Sequence, residues 1–453
     1  MSHPELQPTE ELVSATRERI QRANVRFINL QFTDVVGHVK SVTIPVERLE
    51  GVLDHGHWFD GSSIEGFARS VERDMYLVPD LSTFSVIPWE QDGDVTARII
   101  CWIFNPRGDV FPGDPRAVLA RALQTARDLG YRYNTGPEIE FFLLRTQGGG
   151  RISPLPHDQA GYFDSSTDLA ANVRKEMMNV LQAMGIRVES SHHEGAAGQH
   201  EIDFEYDEAL TSADNTMTFK HTLKAIAQRY NLHATFMPKP FQDKNGSGMH
   251  VHQSLMTLDG ENAFADGGDE YGLSDVARHF IAGQIAHARG MSAILAPLVN
   301  SYKRLVPGFE APVYLTWARV NRSALVRVPR TSEGKLRTTR LELRCPDPAC
   351  NPYLAFAAML HAGLDGVRTR MPLPEPIEES LYAADEASLA QRHVEVLPRS
   401  LGDALDALRR DEVIQNALGT HVLERFLEAK TIEWEQYQGH VSGWEIERYL
   451  EQY

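Results

Sequence analysis

The sequence has few cysteines and lacks any long apolar segment. Its three cysteines, Cys101, Cys345 and Cys350, are too few and too widely spaced in 453 residues for a disulfide framework, and they indicate a reducing compartment. No run of about eighteen apolar residues occurs, and residues 1–5 lack the basic and then apolar pattern of a secretory signal. We therefore expect a cytoplasmic protein without a membrane partner.

The sequence also lacks an excess of basic residues. With 62 acidic and 45 basic side chains the net charge is −17, whereas nucleic-acid binding requires a basic surface, so we expect no nucleic-acid partner. The motifs Gly-x-x-x-x-Gly-Lys-Ser/Thr, Gly-x-Gly-x-x-Gly and Gly-x-Ser-x-Gly are absent. Any bound nucleotide must therefore be held by metal ions and arginines.

The order of local patterns predicts a small β-rich unit followed by a larger mixed α and β unit. An amphipathic helix from Thr9 to Ala23 precedes strands at 26–32 and 38–44. Residues 105–113, with two prolines and two glycines, predict a linker at a domain boundary. Asp114 then caps a helix that has proline at its first position, and helices alternate with strands in the rest of the chain.

The segment from Asn245 to Ser254 is the most informative part of the chain. A glycine-rich turn leads into a strand in which His250, His252 and Ser254 leave the backbone on one face. The intervening apolar residues face the opposite way and can be buried. Such a strand presents polar chemistry on one surface while it packs with the other.

Three further segments repeat this alternation. The polar residues concerned are Glu138 and Glu140, then Glu201 and Asp203, then Arg340, Glu342 and Arg344. Together, the four strands predict one shared polar surface over an apolar core. Considered singly, each is equally compatible with a half-solvated edge strand.

The acidic residues and one histidine form a ligand set rich in carboxylates and poor in sulfur. Such ligands suit hard divalent ions such as Mg²⁺ or Mn²⁺, and the set is large enough for two ions. Its members are Glu138, Glu140, Glu194, Glu201, His250 and Glu342. Any one of them alone is more typical of an exposed or ion-paired surface glutamate. His192 and His193 beside Glu194 are also candidate ligands, but a role in shaping the loop is at least as good an explanation, so the set does not include them.

A second set is cationic and consists of Arg304, Arg322, Arg327, Arg340 and Arg344. Arginine pairs with carboxylates and phosphates in bidentate geometry, so this set indicates a highly anionic substrate pair, such as ATP and an acid. For Arg327 and Arg340, neutralisation of nearby acids is an equally good explanation.

From about Val25 to Tyr453 the chain resembles the type I bacterial glutamine synthetase family. The motifs that carry the resemblance are Phe59–Phe67, Gly136–Phe142, Gly161–Phe163, His192–Glu194, Met237–Pro240, Asn245–His250, Asn300–Gly308, Asn321–Ser323 and Asn351–Leu354. The resemblance implies an α+β fold with an N-terminal β-grasp domain, 24–104, and a C-terminal catalytic α/β domain of the glutamine synthetase / guanido kinase type, 114–453. It also implies a homo-oligomer, a dodecamer of two hexameric rings.

The implied reaction is the ATP-dependent ligation of ammonia to the γ-carboxylate of L-glutamate through γ-glutamyl phosphate, which gives glutamine, ADP and phosphate. The family requires Mg²⁺ or Mn²⁺, two or more ions per active site. By resemblance, Glu140, Glu194 and Glu201 hold the ion nearer glutamate and ammonia. Glu138, His250 and Glu342 hold the ion that bridges the ATP phosphates.

The resemblance also assigns the remaining site residues. Glutamate and ammonium are expected to contact Ser63, Tyr162, Asn245, Gly246, Arg304, Glu310, Arg322 and Arg344. ATP is expected to contact Glu189, His252, Ser254, Arg322 and Arg327. The implied catalytic residues are Asp60, lent by an adjacent subunit, with Arg322 and with Glu310 on a mobile flap. Arg69 matches an arginine used for glutamine feedback in one subgroup.

Two alternatives stay open at this point. A γ-glutamyl ligase acting on a larger amine, such as a polyamine or ethanolamine, would share the metal and ATP motifs. A catalytically silent structural or regulatory homologue is the second alternative, although no expected metal ligand is missing. The surroundings of Tyr382 lack the prolines found beside the adenylylated tyrosine of some relatives, so we expect no such modification.

Overall fold

The computed structural model describes residues 8–64, 74–90, 93–147, 151–308, 310–331 and 336–453. The helices are α1 Glu10–Ala23, α2 Leu49–His55, α3 Pro115–Asp128, α4 Ala171–Ala183, α5 Ala209–Arg229, α6 Asp275–Ala286, α7 Ala288–Leu295, α8 Ser301–Arg304, α9 Pro352–Thr369, α10 Glu386–Gln391, α11 Leu401–Leu408, α12 Glu412–Leu418, α13 Thr420–Gln438 and α14 Gly443–Tyr449. Within the described ranges, no helix combines the length and apolar character needed to cross a membrane.

The strands form two sheets. They are β1 Val25–Thr33, β2 Val39–Pro45, β3 His57–Asp60, β4 Asp74–Pro79, β5 Ser85–Val86, β6 Val95–Phe104, β7 Tyr131–Thr146, β8 Ile152–Pro156, β9 Val188–His193, β10 Gln199–Phe204, β11 Asp207–Glu208, β12 Leu232–Thr235, β13 Met249–Thr257, β14 Tyr314–Ala318, β15 Ala324–Arg327 and β16 Leu341–Leu343. The first six strands belong to the smaller sheet and the other ten to the larger one.

The smaller sheet has the order β2-β1-β6-β4-β3, with β5 paired to β6. β1 pairs antiparallel with β2 and parallel with β6, and its apolar face packs on a separate core that includes Ile28, Leu30 and Leu77. The helix and the first two strands predicted from the sequence are confirmed, and the Thr9 side chain accepts the Leu12 N–H at the start of α1.

The larger sheet has the order β14-β15-β16-β13-β7-β10-β9, and the central strand β7 also pairs with β8, β11 and β12. Among the described pairings in this sheet, β14 with β15 is parallel and the others are antiparallel. Helices α3 and α5 pack against β7, where Ile139 and Phe141 are fully buried. One face of the sheet is therefore free to carry polar side chains.

One segment differs from the sequence prediction. The predicted linker at 105–113 is a packed turn, because Phe111 is buried in the small core and Phe104 bridges to Val110. Two helices, α6 and α7, follow one another and meet at His287. The predicted cap is confirmed, since Asp114 accepts the Arg116 N–H, and Asn351 caps α9 in the same way by accepting the Tyr353 N–H.

A buried charge network around Arg116 joins the domain that contains the smaller sheet to the domain that contains the larger sheet. Its guanidinium donates to both carboxylate oxygens of Asp214, at 3.0 and 2.8 Å, and to Asp80 in the small domain at 2.8 Å. The Tyr353 hydroxyl donates to Asp214 at 2.6 Å, and Arg116 stacks 4.0 Å from the centre of the Trp102 ring. This network fixes the small domain against the larger one.

Replacing Arg116 with methionine should lower the free energy of unfolding by about 3–5 kcal/mol, because Asp80 and Asp214 lose their buried cation. The measurement is urea denaturation followed by circular dichroism. Arg127 on the same helix pairs with Glu208 at the surface, so Arg127→Met should cost less than about 1 kcal/mol and serves as the control. Equal losses in the two variants would contradict a special role for Arg116.

Candidate functional site

Strand pairing brings the polar residues of the large sheet onto one face. His250 on β13 lies opposite Glu138 on β7, which in turn lies opposite Asp203 on β10. Two residues farther along β7, Glu140 lies opposite Glu201. The residues between them are buried in the core. The predicted alternation, and the shared polar surface that it implies, are confirmed.

The first group of candidate metal ligands consists of Glu138, His250 and Glu342. Each offers one ligand atom, and these atoms all lie within 4.8 Å of one another. The His250 Nδ1 atom is 3.5 Å from Glu138 Oε2 and 3.6 Å from Glu342 Oε1. Burial would raise the pKa of Glu138, but hydrogen bonds from His250 and His252 outweigh it and hold that pKa well below its usual range.

Two arginines orient Glu342. The Arg327 Nε atom donates to Glu342 Oε2 at 2.5 Å, and the Arg344 Nε atom donates to Oε1 at 3.1 Å. Glu342 is almost completely buried, and burial alone would raise its pKa. The neighbouring histidines and Arg344 reverse that effect and lower the pKa. Glu342 is therefore held as a carboxylate with one oxygen toward His250.

The second group consists of Glu140, Glu194 and Glu201. Burial and then the negative charge of Glu194 raise the pKa of Glu140 from 4.5 to about 8. Burial and the charges of Glu140 and Asp203 raise the pKa of Glu201 well above its usual range. Among the described residues, these three are not within metal-ligand spacing of one another, and Glu201 groups instead with His192 and Asp203. The three glutamates all offer carboxylate oxygens as donors. The donor set therefore fits Mg²⁺ or Mn²⁺.

His192 lies inside this second group, although the ligand set predicted from the sequence did not include it. Its Nε2 atom is 2.7 Å from Glu194 Oε1 and 3.7 Å from Glu201 Oε1. His192, Glu201 and Asp203 also form a cluster with metal-ligand spacing. His192 on β9 lies opposite Glu201 on β10. Its side chain is therefore on the polar face, as the alternation of side chains along a strand requires. His193 instead binds Asp158 at 3.0 Å behind the sheet.

Gln199 is a second residue that the sequence interpretation missed. Its amide nitrogen donates to Glu140 Oε2 at 2.9 Å and to the Gly246 carbonyl oxygen at 3.1 Å. It thus links a candidate metal ligand to the glycine-rich turn. Gln199 precedes Glu201 by two residues on β10, which is the signal that could have identified it.

A cavity of about 420 Å³ lies beside the first group of ligands. Its lining includes Glu138, Glu189, Tyr206, His252, Ser254 and Arg340. The structure thus brings three predicted ATP contacts together with one metal ligand. The His252 ring joins the cavity to the ligands, because it donates to Glu138 at 2.7 Å and accepts from Arg340 at 3.2 Å. Arg337, to which we gave no role, also lines the cavity.

The glycine-rich turn is packed against Arg304. A Cβ atom at Gly246 would lie 2.4 Å from the Pro238 carbonyl oxygen, and one at Gly248 would lie 2.6 Å from Arg304 Nη2. A side chain at Gly246 would therefore collide with the main chain, and one at Gly248 would displace the Arg304 guanidinium. Arg304 is buried, and it donates to the main-chain carbonyls of Arg344, Cys345 and Pro346. Asn245 lies at the entrance to this turn.

Glu310 and Arg322 face each other at the edge of the site. The Arg322 Nη1 atom is 3.6 Å from Glu310 Oε2, and both side chains are about 60% exposed. Glu310 has a φ of 56°, in the left-handed region that is costly for residues other than glycine. An exposed pair on strained backbone fits the mobile flap expected from the family resemblance.

The remaining predicted residues lie apart from this face or outside the described ranges. Asp60 ends β3 in the small domain and caps the next turn by accepting the Ser62 N–H. Ser63 belongs to that turn, but its side chain is outside the described residues, as is Arg69 entirely. Tyr162 is half-exposed beside the His192 ring, and burial together with the charges of Glu194 and Glu201 raises its pKa.

Comparisons with known sequence families cover both parts of the chain. Residues 24–106 match the family described as "Glutamine synthetase, beta-Grasp domain". Residues 112–449 match the family described as "Glutamine synthetase, catalytic domain".

Full-length relatives are similar as well. A glutamine synthetase of Halobacterium salinarum is 49% identical over 441 residues, which make up 97% of this chain and 96% of the relative. One of Clostridium saccharobutylicum is 48% identical over 445 residues, 98% of this chain and 99% of the relative. A solved structure described as a complex of GmaS with ADP has a TM-score of 0.86 and 32% identity, and covers 96% of this chain and 99% of its own.

In the metal-free protein, folding stability should fall as pH rises from about 4.5 to about 8, because folded Glu140 keeps a proton that the unfolded chain releases. Glu140→Gln should remove this part of the slope and raise the melting temperature near pH 8 by about 2–4 °C. The measurement is thermal denaturation in EDTA across this pH range. Glu447→Gln, at an exposed site, is the control, and parallel profiles for wild type and Glu140→Gln would contradict the expectation.

Proposed function

Because the chain belongs to the glutamine synthetase family, with a β-grasp domain followed by a catalytic domain, we propose that it ligates ammonia to L-glutamate at the expense of ATP. The observation that supports the proposal is the cluster of Glu138, His250 and Glu342 at metal-ligand spacing, beside Glu140 and Glu201 on the same face of the large sheet. We place the domain boundaries at 24–104 and 114–453.

The proposed metal ligands are Glu140, Glu194 and Glu201 for one ion and Glu138, His250 and Glu342 for the other. Divalent cations held there would neutralise the phosphate charge that develops during phosphoryl transfer. Mg²⁺ and Mn²⁺ both prefer such oxygen-rich sites, and we propose two ions per site. Glu342 is oriented for this task by Arg327 and Arg344.

The nucleotide is proposed to occupy the cavity lined by Glu189, His252 and Ser254, which lies next to Glu138. Its phosphates would then extend toward His250, Arg327 and Arg322. A structural relative with 32% identity was solved with ADP, which supports nucleotide binding by this fold. His252 is well suited to the edge of such a site, because Arg340 fixes its tautomer.

Glutamate is proposed to bind beside the glycine-rich turn, against Asn245, Gly246, Arg304 and Arg344. The absence of side chains at Gly246 and Gly248 lets Arg304 pack directly against the turn, beside the proposed glutamate position. A carboxylate oxygen is a poor leaving group until it is phosphorylated, so transfer of the ATP γ-phosphate to glutamate comes first. Arg322 would offset the negative charge of the transferred group.

Ammonia then attacks the γ-carbonyl carbon and phosphate leaves. We propose that Asp60 of a neighbouring copy binds ammonium and accepts its proton, together with Ser63 and Tyr162. Glu310 on the flap would complete this pocket and exclude water from the acyl phosphate. The negative charges of Glu194 and Glu201 near Tyr162 support a cation site there. Arg69 is proposed as a feedback contact for glutamine.

The two alternatives are not favoured. The relatives that are about 48% identical over nearly the full length are glutamine synthetases, which argues against a larger amine as the natural nitrogen donor. A silent homologue would be expected to lose ligands, whereas all six are retained. We further propose a cytoplasmic location and a dodecamer of two hexameric rings.

Purified protein should release phosphate and form glutamine from ATP, glutamate and Mg²⁺ when ammonium is present. Ethylamine, ethanolamine and polyamines should support less than about one tenth of that rate, because the proposed pocket suits a small cation. EDTA should abolish the reaction, and excess Mg²⁺ or Mn²⁺ should restore it. Turnover with one of the larger amines but none with ammonium would overturn the proposal.

The C-terminal helix α14 provides a test of the proposed assembly. Trp444, Ile446 and Leu450 on or next to it are 59%, 45% and 70% exposed, an apolar surface typical of a subunit contact. Truncation after Gly439, or Ile446→Glu, should therefore reduce the mass measured by light scattering. Glu447→Gln should leave the mass unchanged, and an unaltered oligomer after truncation would contradict this role.

A further inference from the structure

Tyr382 lies between the two segments that carry Glu310 and Arg322. Its hydroxyl donates to the main-chain carbonyl of Ala311, the residue after Glu310, at 3.1 Å. The carbonyl of Arg322 is 3.5 Å from the same hydroxyl and already accepts a hydrogen bond from Arg344. Because a phenol has a single proton, the shorter contact to Ala311 takes most of it.

The segment that carries Tyr382 is fastened to the turn that carries Arg322. The Asn321 side chain donates to the carbonyls of Ile377 and Glu379, at 2.9 and 2.7 Å. The Leu381 N–H donates to the Ser323 hydroxyl at 3.1 Å, and this hydroxyl donates to Asn321. Tyr382 is thus fixed relative to Arg322 and reaches across to the Glu310 segment.

The Glu310 segment itself has weak local support. Gly308 and Glu310 have φ angles of 100° and 56°, so the backbone on this side occupies the left-handed region. For Glu310 this conformation is unfavourable and must be held by surrounding contacts. Ala311 is buried, whereas the Glu310 side chain reaches out to solvent and to Arg322.

We propose that Tyr382 is a positioning residue that, through its hydrogen bond to Ala311, holds the Glu310 segment against Arg322 and so favours ammonia over water at the acyl phosphate. The proposal rests on the proposed glutamine synthesis. The Tyr382 hydroxyl remains a donor at working pH, because burial raises its pKa to about 12. Phenylalanine at this position would retain the ring packing near Tyr314 but lose the bond.

The two competing reactions break the same bond. In aminolysis the ammonia nitrogen forms the C–N bond, the bond from carbon to the phosphate oxygen breaks, and the nitrogen gives up a proton. In hydrolysis a water oxygen attacks the same carbon, so glutamate is regenerated and phosphate is released without glutamine. A loosened Glu310 segment admits water and shifts the balance toward hydrolysis.

The test compares phosphate released with glutamine formed, in the full oligomer with ATP, glutamate, Mg²⁺ and ammonium. Wild type should release only a small, measurable excess of phosphate over glutamine. Tyr382→Phe should increase the fraction of phosphate released without glutamine by about two- to tenfold, the effect of losing one neutral hydrogen bond. KM for ATP should stay the same. Tyr314→Phe, which removes a hydroxyl from the neighbouring ring, is the control. It should leave the ratio of phosphate released to glutamine formed as in wild type.

A further single variant keeps the inference open to refutation if Tyr382→Phe folds poorly, and a double variant tests whether Tyr382 acts through the Glu310 segment. Ser323→Ala removes the acceptor of Leu381 N–H and should uncouple the reaction in the same direction but less strongly. Adding Tyr382→Phe to Glu310→Gln should cause little further uncoupling, because Tyr382 acts through that segment. Fully coupled turnover in Tyr382→Phe, or additive uncoupling in the double variant, would overturn the inference. A wild type that makes no glutamine would instead refute the proposed function.

Discussion

Mutual repulsion among buried carboxylates is the constraint on which the rest of this structure depends. Glu140 and Glu201 lie opposite each other on the polar face, and burial and neighbouring negative charges raise the pKa of both carboxyl groups. A flexible scaffold would relieve such repulsion by moving the side chains apart. Here the antiparallel pairing of β7 with β10 prevents this, and the apolar core beneath the sheet provides the free energy that keeps the strands in place.

On the other side of β7, arginines and histidines stabilise the ionised form of the buried carboxylates. Glu138 and Glu342 lie among His250, His252, Arg327 and Arg344, and their pKa values fall rather than rise. One sheet face therefore holds two electrostatic environments side by side, one short of positive charge and one well supplied with it. The two metal groups differ accordingly in how much they depend on a bound cation to remain ionised.

Much of the site could be predicted from the sequence, because a strand's period of two marks which residues share a face. Glu138 with Glu140, and His250 with His252, were identified in this way. Which strands are neighbours could not be predicted from periodicity, since His252 and Glu342 are register partners across about ninety residues of chain. His192 and Gln199 were missed because each is also a common loop or structural residue. The boundary at 105–113 agrees with the two family matches, but its packing as a turn could not be predicted, because proline and glycine mark turns and linkers alike.

The buried charge network at Arg116 limits how the two domains can move. A guanidinium that is shared by Asp80 and Asp214 and stacked on Trp102 cannot slide without exposing charges to an apolar neighbour. Sliding of the small domain against the large sheet would therefore break these buried hydrogen bonds. We expect motion during turnover to lie in segments outside this network, such as the one around Glu310. Stiffness in one part of the chain thus determines where the rest of it can move.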